Sequence, residues 1–303
     1  MSIGIMQSRL WNSPTGYECS LDFCLPLCHN SRMIVDAHTH VFPPEIIARR
    51  ADYLARDDWF GRLFSGPRSP MATADELVGA MDAAGVDMAV ACGFGWRDPG
   101  LCRLTNDYMI EAVRAYPGRL VGMAIVNPAA AGVEAEIARC AAAGLRGIGE
   151  LMPDGQGYSL ADVHTLGPMM QAAQDLGWPV LTHTTEPVGH VYAGKGSPSL
   201  AAAVELAQGY PETDIILAHW GGGLPFYELM PEVRAALGHV YYDTAASPLL
   251  YDDAIYRLLA GLVGHKILFA TDYPLLGLEG FLARVRGAGL SEETLAAVLG
   301  GNA

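Results

Sequence analysis

His38 and His40 stand two residues apart in the segment IVDAHTH, residues 34–40. Side chains at i and i+2 of an extended strand point to the same side, so both imidazoles can be aimed at one point. Asp36 shares their parity one layer deeper, where a carboxylate can orient a ligand imidazole through its ring N–H. A His-x-His pair specifies little by itself. Its weight comes from four other residues: Glu150, His183, His219 and Asp272 each close a short apolar, β-branched run. Nitrogen and carboxylate donors without a thiolate suit Zn²⁺ or another borderline first-row divalent ion, one ion or two. Such an ion lowers the pKa of bound water toward ~7 and polarises a carbonyl oxygen, and Asp272 is placed to take the proton of that water. The competing arrangement is a ring of separate His–carboxylate hydrogen bonds, since buried His and carboxylate groups need partners.

The elements that must position these residues follow from the pattern around them. Eight strand-like runs, 34–38, 86–94, 120–127, 145–151, 179–184, 214–219, 240–246 and 266–272, alternate with Ala-rich amphipathic stretches. Thr73 with Glu76 reads as a capping box for a helix that stops at Gly85. Residues 132–144, 199–211 and 251–264 have helical spacing as well. Eight β–α alternations predict a parallel sheet closed into a (β/α)8 TIM barrel over residues 33–303. A doubly wound open sheet is the competitor, but no Gly-rich dinucleotide loop follows the first run. Two excursions, 41–72 and the Gly/Pro-rich 185–199, leave strand C-termini on the face where barrel sites are built, and either can serve as a lid.

Of the 303 residues, 33 are acidic and 19 basic, a net charge of −14. Lys195 and Lys266 are the only lysines. That balance argues against nucleic acid or an anionic membrane as partner and leaves a small-molecule substrate. No apolar run reaches the ~18–20 residues needed to cross a bilayer. Six irregularly spaced Cys point to reduced thiols and a cytoplasmic location, with Cys92, Cys102 and Cys140 as buried small hydrophobes. Residues 1–32 are expected to be a peripheral, poorly ordered extension, or an artefact of translation starting at Met33. Their Cys19, Cys24, Cys28 and His29 lack the usual zinc-site spacing.

Taken together, DAHTH (36–40), GEL (149–151), THT (182–184), LAHWGGGLPFYE (217–228) and FATDYP (269–274) resemble the amidohydrolase superfamily. The LAHWGGGLPF stretch is similar to the amidohydrolase-related branch that includes aminocarboxymuconate-semialdehyde decarboxylase. The resemblance spans residues 33–302. It implies that His38, His40, His183 and Asp272 ligate the metal, with Asp272 also the general base, and that His219 polarises substrate. It implies a homodimer as the oligomeric state of many members. Glu150 departs from the decarboxylases and looks like the TatD-type arrangement, in which one carboxylate bridges two ions ~3.5–4 Å apart. On that ground the expected activity is hydrolysis of a small amide, ester or lactone. The alternatives are non-oxidative decarboxylation of a small carboxylic acid on the same barrel, or a non-catalytic binding protein. Trp220 is a candidate pocket wall, and Arg97, His190, Lys195 and Tyr273, each near a strand end, are candidate contacts to an anionic substrate. Gly221–Gly223 let the chain turn sharply away from His219.

Overall fold

The computed structural model describes residues 33–303 except Pro198; the expectations for residues 1–32, including Cys19, Cys24, Cys28 and His29, lie outside the described residues. Eight strands follow one another as β1 (Val35–His40), β2 (Met88–Cys92), β3 (Leu120–Gly122), β4 (Ile148–Leu151), β5 (Val180–Thr182), β6 (Ile215–Leu217), β7 (Val240–Asp243) and β8 (Ile267–Leu268). Each falls inside or alongside one of the eight runs read from the sequence. All pairings are parallel, in the orders β1-β2-β3 and β4-β5-β6-β7-β8. Bridges Ala124↔Ile148 and Thr39↔Tyr273 join the two groups at both seams, with Ala37 N–H donating to Phe269 O at 2.8 Å. First and last strands therefore meet, and the chain is a (β/α)8 barrel rather than an open sheet.

The helices form where local signals place them. Ala74–Ala84 starts on the Thr73/Glu76 capping box and ends at Gly85, φ 70°. Leu77, Val78 and Met81 of that helix are buried, so its apolar stripe faces the strands. Val133–Ala143, Leu200–Gly209 and Ala254–Val263 cover the sheet similarly. Cys92, Met123, Leu181 and Ala218 form one buried group. Cys92 and Met123 belong to the β2 and β3 ends, and Leu181 and Ala218 to the β5 and β6 ends; the two pairs are not adjacent in the sheet, and their contact is one only the interior of a closed sheet permits.

The 41–72 excursion is packed structure. Asp57 caps the helix Asp58–Phe64, accepting from Trp59 N at 3.0 Å and Phe60 N at 2.9 Å, and its other oxygen accepts from Arg97 N at 3.1 Å. Phe60 then stacks 4.6 Å from Phe64 and meets Phe94 edge-on at 5.2 Å. This aromatic cluster fastens the excursion over the strand ends. Cys92, Cys102 and Cys140 are free and buried. Among the described residues no helix is long and apolar enough to cross a membrane.

Candidate metal centre and cavity

Parallel strands present all their C-terminal ends on one face. His38 and His40 lie in β1, Glu150 in β4, His183 directly after β5, His219 two residues past β6, and Asp272 beyond β8. His219 (φ 58°) and Asp272 (φ 63°) occupy the left-handed backbone region, which costs a non-glycine residue about 1–3 kcal/mol. Both are held there by hydrogen bonds: His219 N–H to Asp243 Oδ1 at 2.8 Å, and Asp272 N–H to His38 O at 3.0 Å. Gly222 (φ 62°) continues the turn after His219, and a Cβ there would lie 2.6 Å from the Thr185 carbonyl oxygen.

Each imidazole is anchored by one nitrogen and turns the other inward. His38 Nδ1–H donates to Asp243 Oδ2 (2.8 Å), His40 Nδ1–H to Gly93 O (3.1 Å), His183 Nε2–H to Gly194 O (3.1 Å) and His219 Nδ1–H to Ala245 O (3.1 Å). These partners assign the tautomers. The four inward nitrogens meet two carboxylates. Glu150 Oε2 is 3.5 Å from His38 Nε2 and 3.4 Å from His40 Nε2; its Oε1 is 3.1 Å from His183 Nδ1 and 3.6 Å from His219 Nε2. Asp272 Oδ1 is 3.3 Å from His40 Nε2. The donors fall into two triads, His38/His40/Asp272 and Glu150/His183/His219, each with its ligand atoms within 4.8 Å of one another.

This set fits a divalent cation. The inward nitrogens of His38 and His40 are 3.0 Å apart, and those of His183 and His219 are 3.1 Å apart. Two imidazole lone pairs at that distance repel unless a proton or a cation lies between them. Without metal, protons take that place. Burial works against charging His40 and His219, yet neighbouring carboxylates, Asp272 and Glu150 for the first and Glu150 and Asp272 for the second, lift both to about 9. Burial pushes Glu150 up, but the surrounding imidazoles, His38 first, hold it well below the usual carboxylate range. Burial raises Asp272 too, and the His40 hydrogen bond with the His38 and His219 charges brings it down to about 2.

A pH dependence follows. A histidine raised from 6.5 to about 9 contributes stability that is complete below pH 6.5 and lost as pH climbs through 9. A bound divalent ion supplies that positive charge instead, and displaces protons that become scarcer as pH rises. The gap in Tm between metal-loaded and chelator-treated protein is therefore expected to widen from pH 6.5 to 9. Calorimetry at fixed free metal concentration checks it, and a constant or narrowing gap would contradict the donor set.

Above the donors lies a cavity of about 430 Å³, within the range of small-molecule sites. Its floor includes His40, Glu150, His183, His219 and Asp272. Its walls include Phe42, Leu63, Phe64 and Phe94 from the first excursion and its surroundings, His190, Tyr192 and Gly194 from the second, and Leu249 and Leu275. Both excursions thus border the site. His190 stands on the wall. The other proposed substrate contacts lie elsewhere. Trp220 is fully buried in the core, where its indole N–H donates to Ser247 Oγ at 2.6 Å and its ring meets Tyr256 edge-on. Arg97 is exposed and its guanidinium lies against Gly157. Tyr273 packs against the main core while its backbone closes the β1 seam. Trp220 and Tyr273, each directly after a left-handed residue, His219 or Asp272, are turned away from the cavity, whereas Leu275 returns to its wall.

Asp36 is corrected as well. Its carboxylate accepts from Thr271 N (3.0 Å) and Thr271 Oγ1 (2.6 Å), not from an imidazole ring. Between the pairs Asp36↔Ala89 and Thr39↔Ala91, β1 carries one residue more than β2, and this bulge breaks the parity that equal spacing implied. The group that orients His38 is Asp243, which sequence reasoning missed. The available signal was its place: an Asp at the end of a β-branched run, like Glu150 and Asp272.

The family model described as Amidohydrolase matches residues 35–303. The chain belongs to the amidohydrolase family. No curated protein matches its sequence. Among solved structures, this amidohydrolase is similar to the 5-carboxyvanillate decarboxylase of Sphingomonas paucimobilis, with a TM-score of 0.72 and 20% identity over 90% of this chain and 98% of that one. It is similar to the 5-carboxyvanillate decarboxylase of Novosphingobium aromaticivorans, complexed with manganese and 4-hydroxy-3-methoxy-5-nitrobenzoic acid, at TM-score 0.73 and 18% identity, covering 90% and 95% of the two chains. A dihydroxybenzoic acid decarboxylase from a Polaromonas species, with manganese and 2-nitroresorcinol bound, gives TM-score 0.68 and 19% identity, covering 89% and 95%. At these identities the likeness establishes the barrel. It also overturns the expectation of hydrolysis as the leading activity: these similar enzymes are decarboxylases. A divalent centre stands, whereas the expected zinc gains no support, since manganese is the ion named in the similar structures.

Proposed function

We propose that this amidohydrolase is a metal-dependent, non-oxidative decarboxylase of a small aromatic carboxylic acid that carries a ring hydroxyl. The observation that carries this reading is the position of the buried donor cluster, at the floor of a cavity walled by Phe42, Phe64 and Phe94. Flat aromatic walls take an arene; the donor floor takes its carboxylate and hydroxyl oxygens. Of the molecules named for the similar structures, 4-hydroxy-3-methoxy-5-nitrobenzoic acid belongs to this class, and 2-nitroresorcinol carries a nitro group between two ring hydroxyls in place of a carboxylate.

His38, His40, Glu150, His183 and Asp272 would hold the ion, Mn²⁺ or Zn²⁺, with His219 beside it. When bound, the ion supplies positive charge to the substrate oxygens. Every remaining task falls to side chains of the protein. Asp272 rests as a carboxylate, takes the proton of the ring hydroxyl as the substrate settles, and passes it to the ring carbon that bears the carboxylate. The bond from that carbon to the carboxylate then breaks, its electron pair restores the aromatic ring, and CO2 leaves. The phenolate regains a proton from water, so one proton is consumed per turnover. His219, which against the pull of burial the Glu150 and Asp272 carboxylates raise to about 9, is protonated at neutral pH and can donate from its inward nitrogen to the developing phenolate. The aromatic walls keep water from the carboxylate while its charge disperses into neutral CO2.

The test is a panel of mono- and dihydroxybenzoic acids and their methoxy derivatives, incubated with Mn²⁺- or Zn²⁺-loaded protein. Expected is stoichiometric CO2 and the decarboxylated phenol from at least one member, abolished by chelator. Metal-loaded protein that releases no CO2 from any of them would sink the reading.

A further inference from the structure

The 185–199 excursion contains one of the two lysines of the chain, and its ammonium is almost wholly occupied. Lys195 Nζ donates to Val188 O at 2.6 Å, His190 O at 3.2 Å and Glu186 Oε1 at 3.4 Å. It also lies 5.6 Å from the Tyr192 ring centroid, within cation–π reach. Tyr192 OH donates to the second oxygen of Glu186 at 3.1 Å. Apolar packing does not organise this stretch: Val188 is 73% exposed and Val191 86% exposed. What closes the loop is a single positive charge around which two backbone carbonyls, one carboxylate and one aromatic face are gathered. Charge-assisted bonds of this kind are about twice as strong as neutral ones.

The two neighbours of Lys195 lead to the donor cluster. On one side, Gly194 O receives the N–H of His183 Nε2, the bond that turns His183 Nδ1 inward. On the other, Gly196 N–H donates to Thr185 Oγ1 at 3.2 Å, and that oxygen is 3.3 Å from His183 Nε2. The same loop brings His190, Tyr192 and Gly194 to the cavity wall. Arg62, from the opposite excursion, donates to Lys195 O at 3.3 Å.

We propose that Lys195 is a positioning residue: by drawing residues 186–196 around its ammonium it sets the ring orientation of His183 and the rim of the cavity together, so that metal and aromatic acid are bound through one shared loop. It touches neither. It acts through Gly194 O on His183 and through Tyr192 and His190 on the substrate. Partners that orient metal ligands in this way are worth ~10–100-fold in metal affinity when removed.

The experiment compares native protein with Lys195→Met, which keeps the aliphatic stem and removes the charge. Mn²⁺ alone is titrated into metal-free protein by calorimetry, and 4-hydroxy-3-methoxy-5-nitrobenzoic acid into Mn²⁺-saturated protein. Expected are roughly tenfold weaker Mn²⁺ binding, weaker binding of the nitro acid, a raised KM and a kcat that changes far less at saturating metal and substrate. Lys195→Arg, which restores a positive donor, is expected to recover much of both affinities. If Lys195→Met does not fold, Glu186→Gln, which keeps an acceptor for Tyr192 and loses the counter-charge, should shift both affinities in the same direction by less. Unchanged Mn²⁺ and nitro-acid affinities in the variants overturn the proposal, as does a fall in kcat alone. The choice of acid rests on the decarboxylase reading, but the Mn²⁺ titration does not: native protein that binds Mn²⁺ and decarboxylates nothing overturns that reading and leaves the loop test standing.

Discussion

Asp272→Asn is expected to lower kcat for decarboxylation by about 10²–10⁴-fold, the usual contribution of a positioned proton carrier. Asn is the informative replacement here. Asp272 sits at φ 63°, where Asn is among the few non-glycine residues that settle without added strain, so the turn beyond β8 survives. The side-chain amide keeps the shape and one oxygen toward His40, 3.3 Å away in the native chain, but carries no exchangeable acid proton for the ring carbon. Thermal unfolding of the same samples confirms that the barrel is folded at the assay temperature, since removing a largely buried carboxylate beside His40 also lowers stability. Rates are compared at saturating Mn²⁺, with bound metal measured in the same samples, to separate proton transfer from weaker ligation. Turnover within tenfold of native in metal-loaded Asp272→Asn would remove Asp272 from its proposed role.

Lys266→Met is expected to cost about 3–5 kcal/mol of stability, the range found when one partner of a buried ion pair is removed. Lys266 Nζ contacts Glu228 Oε1 at 3.0 Å, Glu228 Oε2 at 2.9 Å and Leu237 O at 2.8 Å, and Tyr242 OH donates to Glu228 Oε1 at 2.7 Å. Both charged side chains are buried, at 7% and 2% exposure. Met fills the stem's volume, so the loss isolates the charge: Glu228 remains in the core with one hydroxyl for company. Denaturant unfolding measures it, and adding Glu228→Gln to Lys266→Met should recover part of the loss because no bare charge is left. A cost below about 1 kcal/mol would mean that water reaches the pair. The LPFYE stretch that follows the three glycines therefore owes its Glu228 to packing between a 3-10 turn and β7, not to the site.

Much of the site could be read along the chain because strand ends are local features. An apolar, β-branched run that stops at a ligand-type residue is visible without neighbours, and a parallel barrel carries every such stop to one face. Glu150, His183, His219 and Asp272 were legible for that reason, as was the helix after Thr73, whose cap lies within four residues. Asp243 has the same signature and was passed over, since its partner, His38, is 205 residues away. Trp220, Arg97 and Tyr273 were misplaced because nearness to a strand end says nothing of direction. Trp220 and Tyr273 follow left-handed residues and pack into or against the core, and Arg97, whose N–H bonds Asp57, carries its side chain to the surface.

By itself the sequence determined the eightfold alternation, and with it the barrel, the shared face and the types of atom gathered there; these follow from periodicity and residue chemistry, which act over a few residues. Tertiary structure alone decided which nitrogen of each imidazole faces inward, that Asp36 bonds Thr271 while Asp243 holds His38, that Lys195 ties its loop to His183, and that an aromatic cavity stands over the donors. Those outcomes depend on hydrogen-bond partners and walls drawn from segments far apart in the chain, and their geometry exists only once the cylinder has closed.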